Sequence, residues 1–563
     1  MIYICNNTYI WLLCAIKKIC NFAIMNKNIE YIVSKEVQSI AEENSKNKYG
    51  QYFTPEIISN FMIDLADINA TSRILEPSSG QGIFIEQLIK KGYKKVTGYE
   101  LDKKLISEKH TNNVINESFV TANIIEKYDL IIGNPPYIRW KNLEQELKDE
   151  LITNNLWNTH FNSLCDYSYI FILKSIELLQ EGGQLIFITP EYWLNTTHSR
   201  KLRDYLMRNG FFEEIYHFNE TPIFEKVNVS TIIFKFIKSK KKNKFINLTK
   251  YYANKKLTSI ILDKLQSKSK IEFAEFFKIT QFKENENWLL TSNKVKEEML
   301  LFENKCKSEK FTDLLTTKKY LTIGEVCDIG NGLVSGLDKA FQLNEEILNE
   351  KEKQNSINVV KAKNLKPFCH TDITRYIFIN DVKDENIVKT DYPNYYNKLV
   401  QYKDKLEKRY QYNREIPYWN WVFLRNFKLF SSNKERILVP CKERISNKDY
   451  FRFSYAKSDI FPTQDVTAIF KKESTKESIY YILAFLNNPR VFQWLVNNGI
   501  VKGNIVEFSE RPISSIPFRS INFNNKSDKK NHDDIVKYTK EYLKNTSNVH
   551  LEKINFIFDK IFK

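Results

Sequence analysis

The sequence predicts an α/β fold, with a doubly wound, Rossmann-like parallel sheet in the first half and a mixed α+β second half. Three observations predict it. Short apolar runs around Ile74, Val96 and Leu130–Ile132 have the length of buried strands. Segments with helical spacing alternate with them, and that alternation builds a parallel sheet. From Leu321 onward the pattern changes to strands broken by glycine turns.

The totals bound the rest. A chain of 563 residues exceeds one ordinary core. A hydrophobic content of 42% is globular. The formal charge of +17 points to a polyanionic partner, although an AT-rich coding sequence also inflates lysine. The 8 cysteines show no Cys-x-x-Cys pair, and the 7 histidines no ligand spacing, so reduced thiols and no metal are expected. Residues 1–24 differ in character from the rest of the chain. Tyr9 to Ile24 is apolar but short and interrupted by Lys17 and Lys18, and no cleavage site follows. The expectation is an upstream extension to a protein that starts at Met25, with a membrane anchor as the competing reading.

Taken in order, Ile29 to Asn44 has helical spacing. Thr54-Pro55 reads as an N-cap followed by proline at the first helical position, opening a helix through Asp67. Arg73 to Glu76 is a strand, Ser78 to Gly82 a glycine turn, and Phe84 to Lys91 a helix. Gly80 and Gly82 let the backbone approach a ligand closely. No Gly-x-x-x-x-Gly-Lys-Ser/Thr pattern occurs, and Glu76 at the strand end repels phosphate. A cationic or hydroxyl-bearing ligand suits it better. The next strand ends at Glu100, about 20 residues beyond a glycine turn, where a carboxylate accepts both hydroxyls of a ribose. A third unit ends at Asn123.

The fourth strand, Leu130 to Ile132, runs into Gly133-Asn134-Pro135-Pro136-Tyr137. Two prolines hold Asn134 and Tyr137 on a stiff loop at a strand's carboxyl end, where open α/β sheets bind ligands. An amide, a carbonyl and a ring suit a flat substrate bearing an exocyclic amine. By itself the loop reads equally well as a surface turn or a Pro-Pro-Tyr peptide motif.

The order of these segments resembles the gamma-type amino-methyltransferases, the S-adenosylmethionine-dependent DNA adenine-N6 methyltransferases of restriction–modification systems. Phe53-Thr54-Pro55, Leu75-Glu76-Pro77 to Gly82-Ile83-Phe84, Glu100 and Asn134-Pro135-Pro136-Tyr137 carry the resemblance. It continues through Asp166 to Phe171, Leu179 to Gly183, Ile188 to Leu194 and Phe224 to Thr231. The resemblance implies that Thr54 and Glu76 contact the methionine part of S-adenosyl-L-methionine. Gly80 and Gly82 would line its path, and Glu100 would hold its ribose. Asn123 stands where many members carry an aspartate that accepts from the cofactor's adenine amine. An Asn oxygen can still accept that bond. Asn134, Pro135, Pro136 and Tyr137 would form the catalytic loop, with Tyr137 and Phe224 stacking on the target base.

The chemistry accounts for these residue types. The N6 lone pair of adenine is delocalised into the ring. Acceptors aimed at both amine hydrogens, the Asn134 side-chain oxygen and the Pro135 carbonyl, stabilise the charge that develops on nitrogen. The amine is out of reach inside a duplex, so the base must flip.

The expected organisation is a catalytic domain over 25–244, a bridging segment over 245–310, and a DNA-specificity domain over 311–563. Lys238 to Lys244 reads as a solvated linker or a phosphate-contacting loop. Leu321 to Asp338 resembles the start of a target-recognition domain. Lys408-Arg409-Tyr410-Gln411-Tyr412-Asn413-Arg414, with Trp419, Trp421 and Arg425, interleaves basic and aromatic residues. That pattern suits phosphate contact and base stacking, or equally a tryptophan core. Double-stranded DNA is the expected partner, with no membrane. The protein is expected to be a cytoplasmic monomer, paired in function rather than in a stable complex with a restriction endonuclease. Three other readings stay open: a combined nuclease–methyltransferase, a protein-glutamine methyltransferase, and an inactive DNA-binding specificity module.

Overall fold

In the computed structural model, the structure describes residues 52–224, 229–253, 255–307, 320–343, 347–412, 414–445, 448–502 and 505–563. The readings of residues 1–24 and of a helix over 29–44 lie outside the described residues. The chain divides into two compact units, the first ending at Trp288 and the second running Leu289–Lys563.

The first unit is built on one nine-stranded sheet. Its strands are β1 (Arg73–Glu76), β2 (Lys95–Tyr99), β3 (Val114–Ile115), β4 (Tyr128–Gly133), β5 (Leu179–Pro190), β6 (Gly210–His217), β7 (Thr231–Lys238), β8 (Phe245–Tyr251) and β9 (Ala274–Thr280). They lie in the order β3-β2-β1-β4-β5-β7-β6-β8-β9. The first five of that order are mutually parallel. β7 then runs antiparallel to both β5 and β6, so the sheet is mixed. Strict alternation with helices also fails. Only turns of 3-10 helix, Lys103–Leu105 and Glu108–His110, separate β2 from β3.

Period-2 burial fixes the sheet between two layers. Ile74, Leu130, Ile132, Ile186 and Ile188 join one core with Ile58, Phe61 and Met62 of the helix Glu56–Asp64. The intervening Leu75, Ile131 and Phe187 are equally buried and face the other side. The order of strands reverses between β1 and β4, and a ligand crevice is expected at the carboxyl ends there.

Two boundaries differ from the sequence reading. The helix after Thr54 starts at Glu56 with Pro55 in the cap position and no side-chain cap. The Thr54 hydroxyl is engaged by Asn134 instead. The catalytic domain does not close at Lys244. β8 pairs in parallel with β6, and β9 pairs with β8. Residues 245–288 therefore belong to the first unit and are not a bridge. Lys238, read as linker, sits on β7 and donates to the carbonyls of Ile176 at 2.8 Å and Leu179 at 2.7 Å, capping the end of the helix Ser168–Leu178.

The second unit is mixed α+β. An antiparallel sheet orders Cys327–Asn331, Val466–Lys471, Arg436–Pro440 and Ser454–Ala456. A second sheet holds Gln342–Leu343, Thr374–Ile377, Ser356–Val360 and Ile460–Pro462. The helices Ile479–Leu486, Lys526–Asn545 and Asn548–Phe562 enclose a phenylalanine-rich core.

Candidate active site

The carboxyl ends of β1, β2 and β4 carry the three features that the sequence singled out. Glu76 ends β1 and is 1% exposed. The turn after it brings Gly80 into the left-handed region, at φ +51°. There the Gly80 N–H donates to Glu100 Oε2 at 2.7 Å, while Asp102 N–H donates to Glu100 Oε1 at 2.8 Å. Glu100, the first residue past β2, is thus aimed by two backbone amides into the crevice.

Burial raises the Glu100 carboxyl above the ordinary range, and the two N–H bonds partly offset it. Glu76 is pushed up further, first by burial and then by the neighbouring charge of Glu100. The Ile85 N–H, in the first turn of the helix Ile83–Lys90, pulls the other way. Glu76 Oε2 is buried with no hydrogen-bond partner. An orphaned acid beside a second acid is costly unless a cation completes the site.

Two adjoining cavities open here. One is lined by Thr54, Glu76, Ser78, Ser79, Gly80 and Phe84. The other is lined by Tyr99, Glu100, Leu101, Ser118, Phe119 and Phe171. Tyr52, Phe53, Ser78, Gly80 and Asn134 line both. The first is acidic at its base and the second has aromatic walls around Glu100.

The loop after β4 forms the far wall. Asn134 Nδ2 donates to the Tyr52 carbonyl at 2.7 Å and to Thr54 Oγ1 at 3.1 Å. The Asn134 carbonyl accepts from Ser78 Oγ at 3.1 Å. The Tyr137 hydroxyl reaches both Asn134 Oδ1 and the Ile188 carbonyl. Burial holds that hydroxyl well above its ordinary range, so it remains a donor. Behind it lies a cavity of about 170 Å³ lined by Tyr52, Tyr137, Arg139, Asp166, Pro190, Tyr192, Phe224 and Val229. Tyr52 stands between Tyr137 and Phe224, its ring centroid 6.2 Å from one and 5.9 Å from the other.

The structure therefore gathers Thr54, Glu76, Gly80, Glu100, Asn134, Pro136 and Tyr137 around contiguous cavities, with Phe224 across from Tyr137. Pro135 is buried beneath them as part of the stiff loop. Two expected residues fall elsewhere. Gly82 is buried in the turn at φ +83°, where a Cβ would come within 2.9 Å of His110, so its role is to close the turn. Asn123 is exposed and lines neither cofactor-side cavity. Ser118 and Phe119 occupy the wall that Asn123 was expected to supply.

Tyr52, Arg139, Asp166 and Tyr192 were not read as site residues. Asp166 is buried and accepts from Tyr192 Oη at 2.7 Å and Ser168 Oγ at 2.7 Å. The available signal was position. Tyr52 and Arg139 flank recognised motifs, and Asp166 and Tyr192 lie inside segments that follow the family order. Among the described residues, no group of three or more His, Cys, Asp or Glu is placed to hold a metal ion. Cys165, Cys306, Cys327, Cys369 and Cys441 are free.

A carboxylate-lined crevice at the switch point of an α/β sheet, beside an Asn-Pro-Pro-Tyr loop, defines a methyltransferase site. The chain belongs to the type II DNA methyltransferases of restriction–modification systems. Residues 8–224 match the Eco57I restriction-modification methylase family. Type II methyltransferase M.HindII of Haemophilus influenzae is 47% identical over 523 residues, covering 92% of this chain and 99% of that protein. Type II methyltransferase M.HincII of Haemophilus influenzae is 45% identical over 520 residues, covering 92% and 99%. The type IIL restriction-modification enzyme MmeI, solved in complex with DNA, shares the fold with a TM-score of 0.58 over 90% of this chain and 72% of that one, at 12% identity. The cofactor is S-adenosyl-L-methionine. The residues present fit it, since the orphaned Glu76 oxygen answers a cationic group and Glu100 answers hydroxyls.

Proposed function

We propose that the chain methylates N6 of an adenine flipped out of double-stranded DNA, and so protects the DNA of its cell from a cognate restriction endonuclease. On this reading it acts in the cytoplasm as a monomer and forms no stable complex with that endonuclease. Thr54, Glu76, Gly80 and Glu100 would hold the cofactor. When bound, it supplies an electrophilic methyl group on a sulfonium sulfur. Asn134 carries the reading, because it lines the acidic cleft while its partner Tyr137 lines the aromatic cavity behind.

Tyr137 and Phe224 would hold the flipped ring in that cavity, stacking being worth ~1–3 kcal/mol per base. The Tyr137 hydroxyl has one proton and two acceptors within reach, Asn134 Oδ1 and the Ile188 carbonyl. Turning it to Ile188 frees a lone pair of Asn134 Oδ1 for one amine hydrogen. The Pro135 carbonyl takes the other. Both acceptors bond more strongly as the nitrogen gains charge, so they act mainly at the transition state. Asn134 Nδ2, fixed by Tyr52 and Thr54, sets which way the amide faces.

The test incubates purified protein with unmethylated DNA and methyl-labelled cofactor, then digests the DNA to nucleosides. Label on N6-methyladenine is expected, and label only on cytosine or only on protein would overturn the reading. Asn134→Ala should lower transfer at least ~10²–10³-fold, the scale of removing one preorganised donor or acceptor, with DNA affinity kept. Near-normal turnover in that variant would remove Asn134 from its role.

A further inference from the structure

Segment 408–425 of the second unit separates into an inward and an outward population. Arg409 turns inward and donates to the carbonyls of Ser335 at 3.0 Å, Pro417 at 3.2 Å and Asn420 at 2.6 Å. The buried indoles of Trp419 and Trp421 donate to the carbonyls of Val382 at 2.9 Å and Ile377 at 2.8 Å. These bonds pin the segment to the core beneath it. Tyr410, Tyr412 and Phe423 instead face solvent, at 70%, 40% and 36% exposure.

The three outward rings form one cluster. Their centroids are 4.7 Å apart for Tyr410 and Tyr412, and 5.1 Å apart for Tyr412 and Phe423. Tilts of 57° and 44° leave no pair covered face to face. The Arg414 guanidinium lies 5.4 Å from the Phe423 ring and is tied to the Val422 carbonyl at 2.7 Å. Tyr412 is held at φ +55°, which a bulky L-residue adopts only at a cost. The ring contacts offset part of that cost, yet all three rings stay open to solvent, and an exposed aromatic cluster marks a binding face.

We propose that Tyr410, Tyr412, Phe423 and Arg414 form a stacking surface for nucleobases that are unstacked when the duplex is opened or kinked. Charge favours this occupant over a protein face. The chain carries +17 and draws a polyanion to it. Beside the rings the exposed Lys408 and Arg414 are offset by the exposed Glu407 and Glu415, so the flat rings and the Arg414 guanidinium select base faces there. The inference rests on the DNA reading above and adds where the second unit touches bases.

The test uses the full chain. Transfer of a methyl group to DNA by the wild type is measured first, and its absence would sink the proposed function alone. The cluster is judged on DNA affinity, read by anisotropy with a labelled duplex that has an unpaired stretch, over a range of salt. Y410A/Y412A should bind about tenfold or more weakly, while Y410F/Y412F stays near wild type. The slope of log K against log salt should stay constant, because stacking releases no counterions. Affinity within twofold of wild type would overturn the proposal, including when a protein is later found on this face. So would a loss of affinity that comes with a shallower salt slope, which marks a phosphate contact. Melting temperature checks folding, and if the double variant melts early, Tyr410→Ala alone decides, its ring being the most exposed of the three.

Discussion

Each unit buries a charged side chain that the fold partners differently. In the first, Glu76 lies at the crevice beyond β1 with one oxygen unpaired and its carboxyl driven up by burial. In the second, Arg436 is 0% exposed, and burial pushes its guanidinium down to about 10, where it still carries its charge. Yet Arg436 donates to the carbonyls of Phe430, Ile460, Ser432, Lys434 and Ser458, at 3.0, 3.1, 3.2, 3.1 and 2.7 Å. Arg436 has its donors taken up within the fold and belongs to the scaffold, whereas the unpartnered Glu76 oxygen opens onto a crevice that a ligand can complete. Burial alone does not tell these two charges apart; their partners and the crevice beside Glu76 do.

That contrast can be broken in order of effect. Arg436→Met should cost about 3 kcal/mol or more in stability, because several carbonyls lose their donor at once. Denaturant unfolding of the full chain measures it, and a cost under about 1 kcal/mol would deny Arg436 its structural role. Glu76→Gln should weaken cofactor binding by about 10–100-fold while leaving the fold intact, since it removes a charge that only the ligand answers. Isothermal titration reads that loss, and unchanged affinity would break the contrast.

The same carboxyl has a pH signature. Its folded pKa is raised, so its contribution to stability is fully present below the unfolded carboxylate range and is lost as pH rises through the folded value. A bound cation draws the proton off, so cofactor affinity should rise with pH over that window, with proton release on binding. Glu76→Gln should flatten both trends. The smallest effect is expected at Asn123→Ala, within about twofold in cofactor affinity, because Asn123 stands outside the crevice.

Legibility followed the same line. Glu76, Glu100 and Asn134 could be expected together because they stand at successive strand ends in one family order, whereas the loop alone read equally well as a surface turn. The structure brings all three to one crevice. Asn123 was placed by counting one more βα unit, but 116–127 has no strand period, and its buried Phe119 and Val120 sit in irregular chain. The lysines at 238–244 suggested a linker, yet a lysine on a strand can spend its charge on a helix end, as Lys238 does. In segment 408–425, composition could not tell rings and guanidiniums that staple a core from those that face water. Backbone carbonyls made the choice, and they carry no side-chain signal.

The continuation of the sheet through β8 and β9 bears on where the chain can be joined to another. β6 depends on β8 for its outer edge, from Glu214 opposite Asn247 to His217 opposite Lys250. Trp288 then seals the unit, stacked on Phe282 at 4.6 Å and set edge-on to Phe212 and Trp193. A hybrid spliced after Lys244 inherits an unpaired strand edge, whereas one spliced after Trp288 inherits a finished module. A hybrid that keeps the first unit folded is therefore expected to need its junction past Trp288.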